Sequence, residues 1–245
     1  MTVGSLFSGI GGFDLGLERA GMTVKWQVER DPWCQKILAK HWTDVPRYTH
    51  VEDVGSDLEC VDLICGGFPC QPVSVAGQQK GADDDRWLWP EFKRIVGLLG
   101  PRYVLVENVP GLFAANGGHA FGEVIGALAD LGYDAEWTVL SAADVGAPHL
   151  RKRVWIVAHA NSRGCEVERE PEPPRIESAH RGIFNGRRHV WDIDDATQDS
   201  NAHWSVEPDV GRVAYGVPLR VDRLKGLGNA IVPQCAEWIG RQLLT

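Results

Sequence analysis

Apolar residues in this chain come in short bursts. Thr2-Val3-Gly4-Ser5-Leu6-Phe7, Thr23 to Val28, Val61-Asp62-Leu63-Ile64-Cys65 and Tyr103-Val104-Leu105-Val106 are each far too short for a helix of ordinary length. Runs that are apolar almost throughout, rather than alternating, are what a strand buried on both faces of a parallel sheet requires. Helical spacing takes over between them. Phe13, Leu15, Leu17 and Ala20 support a helix ended by Gly21, and Pro233 opens a closing helix with Cys235, Ile239 and Leu243 on its inward side. The alternation predicts an α/β fold with a mostly parallel sheet.

Two strand ends carry candidate chemistry. The first strand breaks into Ser8-Gly9-Ile10-Gly11-Gly12 and then a helix, the opening of a nucleotide-binding βαβ unit. Glu29, about twenty residues on, ends the second strand, where an acidic side chain takes ribose hydroxyls. Asp14 stands in place of the third glycine of the dinucleotide fingerprint, so a pyrophosphate fits this turn poorly and a nucleoside cofactor without phosphates fits it well. The third strand runs into Gly66-Gly67-Phe68-Pro69-Cys70-Gln71-Pro72. Two prolines fix φ on either side of Cys70, which makes it a candidate nucleophile, although a lone cysteine is more often a small buried hydrophobe. Glu107 closes the fourth run at the ligand-binding edge of such a sheet; a surface salt bridge is its plainer role.

Taken with Glu107-Asn108-Val109, Arg151-Lys152-Arg153 and Gly228-Asn229-Ala230 ahead of the closing helix, the Leu-Phe-Ser-Gly-Ile-Gly-Gly turn and the Pro-Cys-Gln loop occur in an order that resembles the DNA cytosine-5 methyltransferase family of bacteria and phages. The resemblance runs from Thr2 to about Val157 and resumes from Asp222 to Leu244. It implies a Rossmann-like domain dependent on S-adenosyl-L-methionine, discontinuous over 1–160 and 219–245, with a short target-recognition segment inserted at 161–218. It also implies a cofactor site in which Phe7 packs on the adenine, Gly9, Ile10 and Gly12 line the turn, Glu29 holds the ribose and Asp53 with Val54 reads the adenine edge. Pro69, Leu88 and Asn229 would complete that site, the last two around the methionine portion. Gln71, Ser74, Arg86, Arg163, Arg187 and Arg188 are the residues expected to meet DNA. Four positions depart from the family pattern: Ser5 where an aspartate is usual, Arg30 for a common aromatic, His149 for a glutamine and Leu150 for a basic residue.

The implied reaction makes sense of the residues. Carbon 5 of cytosine is a weak nucleophile, so a thiolate must first add to carbon 6, and Cys70 is the expected source. An unperturbed thiol is only a few per cent ionised at pH 7, and positive charge helps. Arg151 and Arg153, two apart on an extended segment, point to one side and are expected to supply it. Addition needs a proton at ring nitrogen 3, for which Glu107 is the expected donor if burial keeps it protonated. The catalytic set is thus Cys70, Glu107, Arg151 and Arg153. The alternatives are a transfer-RNA-methylating branch of the same family, or a catalytically impaired DNA-binding relative.

Composition narrows the setting. In 245 residues, 44% hydrophobic, no apolar run approaches a membrane span and no signal peptide is visible. Six cysteines without a CxxC pair read as reduced thiols, with no metal site expected. A cytoplasmic setting is expected, and the resemblance adds the expectation of a monomer with a cognate restriction endonuclease as candidate partner. The net charge of -8 conceals a local basic surplus: Arg151-Lys152-Arg153, Arg163, Arg169, Arg175, Arg181, Arg187 and Arg188 lie close together, as a phosphate-facing segment or a solvated loop. Within Asn161 to Pro218, Trp191, Trp204 and Tyr215 are the few aromatic anchors.

Overall fold

The computed structural model describes residues 1–69, 87–161 and 226–245, together with the backbone of 183–184 and 187–188. Seven strands form one sheet in the order β3-β2-β1-β4-β5-β7-β6. They are β1 (Thr2–Leu6), β2 (Thr23–Val28), β3 (Arg47–Tyr48), β4 (Leu63–Gly66), β5 (Tyr103–Asn108), β6 (Tyr133–Ser141) and β7 (Lys152–Ala160). Within this sheet only β7 runs against its neighbours. A separate antiparallel pair, β8 (Ile183–Phe184) and β9 (Arg187–Arg188), falls within the expected insert.

The expected strands form within a residue or two of the sequence reading, and burial explains their composition. In β4, Leu63, Ile64 and Cys65 are all fully buried, as are Val104, Leu105 and Val106 in β5. Alternate residues feed two cores. Val3, Leu63, Leu105 and Val157 face α1 (Gly12–Arg19) and α5 (Pro233–Leu244). Leu6, Ile64, Val104 and Ile156 face α3 (Trp89–Leu99) and α4 (His119–Asp130). A further helix, α2 (Pro32–His41), follows β2; Asp31 caps it by accepting from the amides of Trp33 and Cys34.

Helix α5 comes from the far side of the sequence yet docks tightly on α1, because small residues let the backbones approach. A Cβ on Gly16 would overlap the Pro233 carbonyl, and one on Gly240 would come within 2.9 Å of Ala20. Cys235, Ala236, Ile239 and Leu243 are buried there, as the helical spacing predicts. Burial of a large aliphatic side chain contributes roughly 1.5–3 kcal/mol, so Ile239 and Leu243 dominate the docking.

The order in which strands are laid down reverses between β1 and β4, which are themselves parallel: β2 and β3 extend the sheet to one side, β4 and β5 to the other. In open α/β sheets ligands bind at the carboxyl ends of strands beside such a reversal.

Candidate active site

A cavity of about 800 Å³ opens at that point, receiving Phe7 from the end of β1, Glu29 from β2, Gly67 to Pro69 from β4 and Glu107 from β5. The turn after β1 is held left-handed, with Phe7 at φ 52°, Gly9 at 56° and Gly11 at 86°. Gly9 faces open space, since a Cβ there would meet nothing within 4 Å. Glu29 is oriented from behind. Its Oε2 accepts from the Gly9 amide and its Oε1 from the Asp31 amide, both at 2.7 Å. Fixed in this way, the carboxylate can accept from a diol without reorganising.

At the other end, Glu107 is 7% exposed, and its Oε1 lies 2.9 Å from Arg153 Nε. The register explains the meeting: Glu107 lies opposite Trp155 on β7, and Arg153 is two residues away on the same face. Burial pushes the Glu107 carboxyl up to about 7, against the downward pull of Arg153 and then Arg151. It is therefore a group that can hold or release a proton at neutral pH. Arg151 also lines the cavity, and its Nε has no hydrogen-bond partner among the described residues. Burial and the Arg153 charge lower its pKa, so a negative group arriving here would be favoured.

The segment leading toward Cys70 is clamped. Asn108 Nδ2 donates to the Phe68 carbonyl at 3.1 Å, and Phe68 packs edge-on against Trp87 with centroids 5.2 Å apart. Phe68 and Trp87, on either side of the loop, thus belong to one aromatic cluster, completed by Trp89 and Phe92. Gly67 passes so close to Glu107 that a Cβ there would sit 3.1 Å from Oε2.

Of the sequence-derived candidates, Phe7, Gly9, Glu29, Pro69, Leu88, Glu107, Arg151, Arg153 and Asn229 converge on this cavity. Ile10, Gly12, Asp53 and Val54 do not. Gly12 lies instead against Ile231, where a Cβ would come within 2.5 Å of its carbonyl oxygen. Asp53 is exposed in a 3-10 turn, Val51–Asp53, and Val54 is buried in the α3 core. The wall assigned to that pair is made four residues earlier. Parallel pairing sets Val28 beside Tyr48, so the next residues, Glu29 and Thr49, then Arg30 and His50, come together at the cavity. The two-residue β3 leaves no periodic signal in the sequence that would have pointed to Thr49 and His50. Cys70, Gln71, Ser74, Arg86 and Arg163, with the aromatic anchors of the insert, lie outside the described residues. Arg187 and Arg188 are described only as the backbone of β9.

Among the described residues no group of His, Cys, Asp or Glu could hold a metal ion, and no helix is long and apolar enough to cross a membrane. The fold is a doubly wound α/β fold whose cavity brings Glu29 and the protonatable Glu107 together at the carboxyl ends of the strands. The sequence profile of C-5 cytosine-specific DNA methylases matches residues 1–208, and the chain belongs to that family. It is 34% identical over 183 residues to the Type II methyltransferase M.NgoFVII of Neisseria gonorrhoeae, covering 73% of this chain and 49% of that protein. It is 31% identical over 169 residues to M.HhaI of Haemophilus parahaemolyticus, covering 69% and 52%. The chain spans about half the length of these curated relatives. Among solved structures, a putative DNA modification methyltransferase encoded within an E. coli prophage matches with a TM-score of 0.57 and 30% identity over 65% of this chain and 47% of the other. Dnmt2 of S. pombe shares the fold, with a TM-score of 0.55, 23% identity and coverage of 67% and 52%.

Proposed function

We propose that this protein is an S-adenosyl-L-methionine-dependent DNA cytosine-5 methyltransferase that acts on a cytosine flipped out of duplex DNA. The observation that carries the reading is one cavity with Glu29, fixed by two backbone amides, at one end and Glu107, poised near neutrality beside Arg153, at the other. The described residues fit the cofactor: Glu29 would hold the ribose, Phe7 and Leu88 would flank the body of the molecule, and the open face of Gly9 leaves it room. When bound, the cofactor supplies an electrophilic sulfonium methyl group.

The chain's own residues prepare the base. Cys70, one residue past Pro69, forms a thioether bond to carbon 6 of the cytosine as its thiolate. Glu107 gives its proton to nitrogen 3, so the electron pair displaced by addition ends on carbon 5 rather than as charge on the ring. Arg153 holds the carboxylate left behind, and Arg151, with donor capacity free, favours both the thiolate and a phosphate. Extrusion of the base costs a few kcal/mol, which contacts from the basic segment at 151–188 would offset. A single-chain enzyme in the cytoplasm, matched to a restriction endonuclease of the same sequence specificity, is the setting that fits.

DNA containing 5-fluorocytosine tests the reading, because fluorine cannot leave as a proton after methyl transfer. A denaturant-resistant adduct is expected with the native protein and cofactor, and none with Cys70→Ala. Absence of the adduct on duplex DNA, with an adduct on fluorinated transfer RNA, would move the reading to the RNA branch.

A further inference from the structure

Between β3 and β4 the chain reaches the cavity through Thr49, His50, Val51 and Glu52. The segment is itself neither strand nor α-helix, and α2 reaches only its start, where Gln35 Nε2 donates to Thr49 Oγ1 at 3.2 Å. The local structure is the single 3-10 turn Val51–Asp53, which has no side-chain cap. One such turn does not hold itself. Burial of Val51 and Val54 keeps the segment on the protein, but apolar contact is non-directional and does not fix the orientation of its peptide groups.

Arg94 does. From the second turn of α3, its Nη2 donates to the carbonyls of both Val51 and Val54, each at 2.8 Å. These two carbonyls bracket the turn. Its Nε is held in turn by Glu91 Oε2 at 2.7 Å, one helical turn earlier. We infer that Arg94 is a positioning residue for the nucleoside end of the cofactor cavity, fixing from behind the wall that Thr49 to Glu52 present to the ligand. The inference rests on the S-adenosylmethionine reading above. Helix α3 begins directly after Leu88, itself at the cavity, so one rigid element sets two of its walls. A planar fork held at Nε can serve two carbonyls at once, which a lysine ammonium on a flexible stem cannot do with the same geometry.

Isothermal titration of the whole protein with S-adenosylmethionine and with 5′-methylthioadenosine, which lacks the amino-acid portion, tests this. Arg94→Met should weaken both ligands by a similar factor, on the order of tenfold, the scale on which outer partners of a binding group act. Arg94→Lys should fall between it and the native protein. In methylation assays the loss should appear in KM for the cofactor rather than in the single-turnover rate at saturating cofactor. If Arg94→Met does not fold, as judged by circular dichroism, Arg94→Lys carries the same comparison. Folded variants that bind both ligands like the native protein, or that lose rate without losing affinity, would overturn the assignment. Failure of the native protein to bind S-adenosylmethionine would overturn the cofactor reading instead, and this inference with it.

Discussion

Asp14→Asn should stabilise the protein at neutral pH, by an amount that depends on pH in a calculable way. Asp14 sits fully buried in the first turn of α1, accepting from Gln27 Nε2 at 2.7 Å and from Ser5 Oγ at 3.1 Å. Burial raises its carboxyl from the ordinary 3.8 to about 6, although both hydrogen bonds, Gln27's more than Ser5's, pull it down. A carboxyl whose pKa is raised on folding stabilises the fold fully below pH 3.8 and loses that contribution as pH rises through about 6. At 1.36 kcal/mol per pKa unit the penalty for ionising it reaches roughly 3 kcal/mol near pH 7.5 and about half of that at pH 5. Asparagine resembles the neutral acid: its oxygen can keep the Gln27 bond and its amide can donate to Ser5. Any fixed cost of the replacement cancels in the difference between the two pH values. Urea unfolding of the native and variant proteins at both values should therefore show the stability of the variant relative to the native protein rising by roughly 1–2 kcal/mol from pH 5 to 7.5. A constant difference, or one that shrinks with rising pH, would mean that Asp14 is not the proton-binding group described.

Glu107 has the same sign of shift, and the proposed mechanism draws on it. The single-turnover methylation rate should fall as pH climbs above about 7, and Glu107→Gln, slower by about a hundred- to ten-thousandfold, should show no such alkaline fall. Gly67→Ala, whose new Cβ would press on Glu107 Oε2, should slow methyl transfer while leaving cofactor affinity within about twofold, measured by titration. Gly16→Ala should destabilise by more than about 2 kcal/mol in urea unfolding, because the overlap is with the backbone of α5 and cannot be relieved by a rotamer change.

Much of this was legible because strand burial leaves a direct compositional mark. The apolar bursts located β1, β2, β4 and β5, and residues at their carboxyl ends, Glu29 and Glu107 among them, could be assigned from position alone. Spacing two apart brought Arg151 and Arg153 to one face. Where the chain is neither strand nor helix, that logic lapses: the wall at Thr49 and His50 depends on a two-residue pairing and a 3-10 turn, which carry no period. Arg94 was invisible for another reason. It bonds to carbonyls more than 35 residues away, and a backbone acceptor has no residue type to recognise. Asp14 was visible as a missing glycine, but its partners come from two different strands, so its burial as a carboxylate became evident only in three dimensions.

The docking of α5 on α1 has a consequence for how the protein is made. Gly226, Gly228 and Asn229, just ahead of α5, line the same cavity as Phe7 and Gly9 beside α1, so residues far apart in the sequence complete one pocket. Until residues 226–229 have been synthesised, the early strands can pair but part of the pocket lining is missing. A ligand that needs the whole pocket therefore cannot assist the early stages of folding, and its capture marks a chain in which α1 and α5 have already found each other.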